Sequence, residues 1–175
     1  PDGDAIGGLL AMGHVLRAMG KRVTLACFDV VPLRFAYLPG YGDIVADSVG
    51  AADTAVQAQD SFDYNLIVSL DCGDLRRVGR ASDLRADDNW QRNIPFLNID
   101  HHATNTFFGT HNWVGPEYVA TSEMVLDLCD RLGAPITPDV AQCLLYGILG
   151  DTQGLRTDNV TPALIAKVTR LLQAG

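Results

Sequence analysis

Three short apolar runs, Val23 to Phe28, Asn65 to Leu70 and Ile94 to Ile99, each finish at an aspartate, namely Asp29, Asp71 and Asp100. Runs rich in β-branched residues and separated by long connections predict strands buried on both faces. That pattern excludes an antiparallel meander and calls for helical crossovers. The fold class is therefore α/β, a three-layer, doubly wound, mainly parallel sheet flanked by helices. Helical spacing supplies the flanks. Ile6, Leu9, Leu10, Gly13, Leu16 and Met19 recur on one helix after a Pro1-Asp2-Gly3-Asp4 turn, and Gly20 stops it. Met124, Val125, Leu128 and Leu132 mark a second helix. Thr137-Pro138 and Thr161-Pro162 each set a capping hydroxyl before a first-turn proline, which starts two more. The last carries a stripe of Leu164, Ile165, Val168, Leu171 and Leu172 that needs a cover. Arg76 to Trp90 is charged and irregular, as in a surface crossover.

The 175 residues fit one domain, and 47% hydrophobic content excludes a disordered chain. No apolar run approaches the roughly 20 residues that span a bilayer, so no membrane partner is expected. A net charge of −8 excludes long duplex DNA as a partner of this domain, because duplex binding rests on a Lys/Arg-rich face. Small phosphate compounds stay open, and divalent cations would relieve the crowding of acids. Cys27, Cys72, Cys129 and Cys143 show no C-x-x-C pairing and sit in apolar surroundings. They are expected to be buried thiols of a reducing compartment, hence a cytoplasmic protein. The chain opens at Pro1 with no basic and apolar leader after it, which predicts a start inside a longer protein.

In parallel sheets the ligand crevice lies beyond the carboxyl ends of the strands, so Asp71 and Asp100 are expected to face one space. Asp2 and Asp4 add two carboxylates just before a helix, where each taken alone favours a capping role. Asp151 closes a helical pattern, where the helix dipole disfavours an acid unless a cation compensates it. His101 and His102 follow Asp100 directly, and a carboxylate beside an imidazole orients it for metal binding. Oxygen-rich sites with one or two imidazoles suit Mn²⁺ or Mg²⁺. Asp29 and Asp74 take structural readings, Asp74 as a cap. His14 and His111 lack ligand spacing and are expected to be satisfied polar residues.

Pro-Asp-Gly-Asp-Ala at 1 to 5, Ser-Leu-Asp-Cys-Gly-Asp at 69 to 74, Asp-His-His at 100 to 102 and Gly-Asp-Thr at 150 to 152 stand in the order found in the DHH phosphoesterase family, which the chain resembles. The Ala103-Thr104-Asn105, Asn112-Trp113-Val114 and Ala120-Thr121-Ser122-Glu123 segments resemble its nanoRNase and pAp phosphatase branch, a RecJ-like group. The resemblance implies that Asp2, Asp4, Asp71, His101 and Asp151 bind two Mn²⁺ ions, with Mg²⁺ as a substitute, and that Asp71 bridges them. It implies that His102 faces the substrate phosphate and that Asp100 orients the neighbouring histidine. Arg156 would fork onto a phosphate, although Gln153-Gly154-Leu155 departs from the branch's usual pattern and an exposed salt bridge is the competing reading. Residues 1–175 would then form the catalytic domain, cut short of an upstream metal-binding histidine and lacking a C-terminal substrate-binding domain (DHHA1-like).

The expected activity is hydrolysis of phosphoesters in nucleotides such as pAp or in short oligonucleotides, with two ions activating water for in-line attack. A homodimer is left open. A phosphatase forming a phosphoaspartate on Asp71 is the nearest enzymatic rival, but its Asp-x-Asp pattern does not occur after a strand here. The residues are also compatible with a nonhydrolytic nucleotide-binding module, and with a pyrophosphate or polyphosphate hydrolase on the same scaffold. Neither a Walker loop nor a dinucleotide fingerprint is present.

Overall fold

A computed structural model describes residues 1–46, 64–79 and 94–175. In chain order the elements are α1 (Gly3–Ala18), β1 (Leu25–Cys27), β2 (Ile44–Ala46), β3 (Ile67–Leu70), β4 (Phe96–Asp100), β5 (His111–Val114), α2 (Thr121–Leu132), α3 (Pro138–Asp151) and α4 (Pro162–Ala174). Among the described residues every strand pair is parallel: β1 with β2 in one sheet, and β3, β4 and β5 in that order in another. The α/β class is therefore observed. Strand β3 ends at Leu70, directly before Asp71, and β4 ends at Asp100, as expected, whereas β1 stops at Cys27, two residues short of Asp29. Burial on both faces is not general. Only the central β4 approaches it, whereas β5 is half exposed and β1 alternates. The surface crossover expected from Arg76 to Trp90 begins as a short helical turn at Leu75–Arg77, and from residue 80 it falls outside the described residues.

Helix α1 starts three residues earlier than its apolar spacing suggests, because Gly3 and Asp4 are already helical. Asp2 is its cap, accepting from the Asp4 and Ala5 backbone N–H groups. The expected Pro1-to-Asp4 turn is thus a helix start. Thr137 and Thr161 cap α3 and α4 through Val140 N–H and Leu164 N–H, as their Thr-Pro pairs predict. Ile6 and Leu10 of α1, Met124 and Leu126 of α2, Leu144 and Ile148 of α3 and Leu164 and Leu171 of α4 are all at most 1% exposed and form one core with Ile99 of β4.

Two apolar stripes differ from expectation at their edges. Leu132 at the end of α2 is exposed, and so are Ile165 and Leu172 of α4, since α4 buries only its Leu164, Val168 and Leu171 face. Cys129 and Cys143 are buried, but Cys27 and Cys72 are only half-buried; all four are free thiols.

The closest crossing is between α1 and α3. A Cβ at Gly7 would collide with the Cys143 carbonyl, and one at Gly147 would overlap Ser122 Oγ and reach 2.9 Å from Asp4 Oδ1. Glycine is required at 7 because the α1 and α3 backbones meet there, and at 147 because the Ser122 and Asp4 side chains fill the space.

Candidate metal centre

The site lies at the carboxyl ends of β3 and β4, where parallel strands open a crevice. Asp71 follows β3 directly and takes a left-handed conformation, φ 58°, while its N–H donates to the Ile99 carbonyl at 3.1 Å. A non-glycine residue in that region is unusual, and aspartate tolerates it better than most. The turn brings the carboxylate back over the strand end, where it is 8% exposed.

Asp4 belongs to the first turn of α1 yet serves α2. Its Oδ2 accepts from Thr121 N–H at 2.6 Å and its Oδ1 from Ser122 N–H at 2.8 Å. Helix α2 has Ala120 at its cap position and no side-chain cap of its own, so a carboxylate from the other end of the chain satisfies its free N–H groups. Thr121 Oγ1 donates to Asp71 Oδ1 at 3.2 Å, so the start of α2 holds both carboxylates.

His101 stands between them. Its Nε2 is 3.1 Å from Asp151 Oδ2, 3.6 Å from Asp71 Oδ1 and 4.0 Å from Asp4 Oδ2. Its Nδ1 faces the Tyr118 carbonyl at 3.4 Å, which fixes a proton on Nδ1. Nε2 is buried and, among the described residues, has no well-aligned hydrogen bond, with Asp151 Oδ2 as its nearest acceptor. A buried nitrogen lone pair among three carboxylates is repelled by all of them unless a cation or a proton lies between. Such a donor set, oxygen-rich with one imidazole, fits a hard divalent cation.

The charges respond accordingly. Burial, with Asp4 and then Asp2 beside it, pushes Asp71 up to about 8. Burial also raises Asp4 to about 6, against the hydrogen bond from Ser122 and together with the charge of Asp151. For His101, burial acts downward, but Asp151, Asp4 and Asp71 outweigh it and hold it at about 9. The crevice thus demands positive charge.

Ligand atoms of Asp71, His101 and His102 lie within 4.8 Å of one another, as do those of Asp4, His101 and Asp151. Two clusters share His101. Asp2 is in neither: it is exposed and caps α1, though its charge reaches Asp71. His102 Nδ1 is 2.7 Å from Asp100 Oδ1, the orienting pair that the Asp-His-His run predicts. Asp100 is fully buried, and its other oxygen accepts from Asn105 Nδ2 at 2.6 Å; Asn105 is in turn held by Asn98 Nδ2 and Phe107 N–H on its own oxygen. Asp74 caps Leu75–Arg77, as read from the sequence. His14 meets the Pro39 carbonyl and His111 meets Thr110 Oγ1, and both stay outside the site.

Arg156 follows a left-handed turn in which Gln153, Gly154 and Leu155 have φ of 51°, 72° and 65°. Its Nε donates to the Gln153 carbonyl at 2.8 Å, and no acid among the described residues pairs with it, so the expected competing salt bridge is not observed. Sequence reasoning missed Thr121, Ser122, Asn105 and Gly147 as supports of the site. Only the Thr-Ser pair at a helix start and the Asn after Asp-His-His carried any local signal.

Fold and cluster together define an α/β domain with a candidate metal centre at its strand ends. The chain belongs to the DHH family, N-terminal domain, whose profile matches residues 1–148. Over its whole length it is 34% identical to the bifunctional oligoribonuclease and PAP phosphatase NrnA of Thermus thermophilus, of which it covers 48%. A crystal structure of an exopolyphosphatase-related protein from Bacteroides fragilis is similar with a TM-score of 0.86 and 28% identity, covering 100% of this chain and 50% of that one. A Methanococcus jannaschii protein described as a candidate family II inorganic pyrophosphatase shares the fold, with a TM-score of 0.64 at 18% identity over 99% of this chain and 52% of that one. The chain spans about half the length of the curated relatives it matches. No helix among the described residues is long and apolar enough to cross a membrane.

Proposed function

We propose that this chain is the catalytic part of a metal-dependent phosphoesterase that hydrolyses nucleotides such as pAp or short oligonucleotides. Asp4, Asp71, His101 and Asp151, with Asp2 at the rim, would hold two divalent ions, Mn²⁺ in preference to Mg²⁺, and Asp71 would bridge them. The observation that carries this reading is His101 Nε2, buried, without a well-aligned hydrogen bond among the described residues and ringed by three carboxylates. Similarity to the Thermus NrnA supports the substrate class. A second domain that reads the base, following this one, and a cytoplasmic setting belong to the same proposal, as does an upstream histidine completing the ligand set.

When bound, the two ions supply Lewis-acid stabilisation of the attacking and leaving oxygens. The protein's own groups do the rest. Asp100 holds His102 through Nδ1 and fixes the ring, which leaves its Nε2 as the atom that would meet a phosphoryl oxygen as charge builds there. Asn105 keeps Asp100 from turning away. Arg156, pinned at Nε, offers its terminal N–H groups to a second phosphate oxygen. No nucleophilic side chain is needed.

The similarity to an exopolyphosphatase-related protein favours a second reading, hydrolysis of a polyphosphate on the same metal centre. Anomalous diffraction at the manganese edge from Mn²⁺-soaked crystals, joined to phosphate release from pAp, dinucleotides and polyphosphate by the full-length protein, tests both. Two ions on the named residues with release from pAp or dinucleotides support the first. Release from polyphosphate alone selects the second, and absence of ions from the crevice rejects both.

A further inference from the structure

Lys167 of α4 lies beyond residue 148, where the family match ends, and contacts neither ligand cluster directly. Its Nζ is 2.8 Å from Glu123 Oε1 and 2.7 Å from Asp127 Oδ1, both on α2. Each of these carboxylates uses its other oxygen on the loop that precedes α2. Glu123 Oε2 accepts from Val119 N–H at 3.1 Å, and Asp127 Oδ2 accepts from Tyr118 O–H at 3.1 Å. The ammonium also sits 5.4 Å from the centre of the Tyr118 ring, and Trp113 packs edge-on against that ring at 6.0 Å. Tyr118 is the residue whose carbonyl faces His101 Nδ1.

We propose that Lys167 is a positioning residue for the metal centre: by holding Glu123 and Asp127 together it fixes the Tyr118 carbonyl, and through it the tautomer and orientation of His101. The inference rests on His101 being a metal ligand. Glu123 is 8% exposed, and its side chain and that of Asp127 converge on one cation. Without that cation the two carboxylates repel, and the loop that both of them hold is released. Partners of this kind behind a ligating imidazole commonly govern metal affinity by about ten-fold to a hundred-fold.

Two measurements on the full chain test the proposal: titration calorimetry with Mn²⁺ alone, and the His101 Nδ1–H resonance in metal-free protein. Lys167→Met is expected to weaken Mn²⁺ binding about ten-fold and to expose the Nδ1 proton to exchange, while Lys167→Arg restores both. Wild-type Mn²⁺ affinity and an unchanged Nδ1–H in Lys167→Met would overturn it, as would equal loss in the Met and Arg variants. Should Lys167→Met not fold, Asp127→Asn keeps the side-chain shape, removes one arm of the ion pair and is read by the same criteria. Asp71→Asn separates the two levels: if it too binds Mn²⁺ normally, the metal-centre reading falls and this inference with it. If it abolishes binding while Lys167→Met keeps wild-type Mn²⁺ affinity and an unchanged Nδ1–H, only the positioning role is lost.

Discussion

Asp4 Oδ2 accepts a hydrogen bond from the backbone N–H of Thr121 at 2.6 Å, joining the first turn of α1 to the first turn of α2 across 117 positions of sequence. The same carboxylate is a side of the crevice that holds His101. One group therefore satisfies a helix end and contributes charge to the site, and the two tasks cannot be mutated apart with Ala. Asp4→Asn keeps an acceptor for one N–H and halves the pairing. It is expected to lower stability by about 1 to 2 kcal/mol, the worth of a helix cap, and to weaken Mn²⁺ binding; chemical denaturation beside calorimetry checks both. Unchanged Mn²⁺ affinity would remove Asp4 from the ligand set.

Asp71→Asn should abolish Mn²⁺ binding and turnover while leaving the melting temperature of metal-free protein unchanged or higher. Asparagine accepts the left-handed φ of 58° as readily as aspartate, and the substitution removes a buried acid whose ionisation its neighbours oppose. Near-normal phosphate release at saturating Mn²⁺ would contradict the role given to this residue.

Metal-free protein should lose stability as pH rises from about 5 to about 9. Asp71 at about 8 and Asp4 at about 6 bind protons in the folded state that the unfolded chain has already released, so folding is favoured at the acid side. His101, raised to about 9, acts in the same direction: its contribution is complete below the ordinary histidine value and disappears as pH passes its folded value. Melting in EDTA across this range should therefore slope downward, and Mn²⁺ should restore most at the alkaline end. A rising melting temperature from pH 5 to 9 in EDTA would show that the crevice does not hold its acids as described.

Gly147→Ala should cost about 1 to 3 kcal/mol, the usual effect of overpacking, and should damage the site as well, since the added methyl would press on Ser122 and Asp4. Gly154→Ala, with nothing within 4 Å of its Cβ, isolates the backbone cost of φ 72° alone. Comparing the two by denaturant unfolding and Mn²⁺ affinity tests the assignment, because only the Gly147 variant should lose both.

Asp100→Asn should lower kcat by about 10²-fold or more with Mn²⁺ affinity nearly kept, because it weakens the hydrogen bond that orients His102 and leaves Asp4, Asp71, His101 and Asp151 in place. Steady-state kinetics on pAp with the full-length protein would show it. A rise in KM alone would mean that His102 only binds substrate.

Much of the fold was legible because its signals are local. A β-branched run that stops at an acid needs only its own residues to predict β3 with Asp71 and β4 with Asp100, and a Thr-Pro pair needs only the next turn to start α3 or α4. The pairing of Asp100 with His102 was readable for the same reason, being two positions apart. Strand β5 escaped notice because His111 to Val114 is half exposed and owes its conformation to the backbone of β4. Asp2 belongs with the local signals: an acid just before a helix reads as a cap, and Asp2 caps the helix that begins at Gly3.

What the sequence alone determined is the kind of chemistry, because acids and imidazoles at strand and helix ends state the charge and donor type whatever their neighbours. What only the tertiary structure decided is who meets whom. Thr121 and Ser122 receive their cap from α1, Gly147 gives way to Ser122, and Lys167 reaches the loop behind His101, and none of these partnerships leaves a mark within a few residues of either member. They arise because α1, α2, α3 and α4 must cover one core around β4, and burying that apolar surface sets their polar ends against one another at fixed distance.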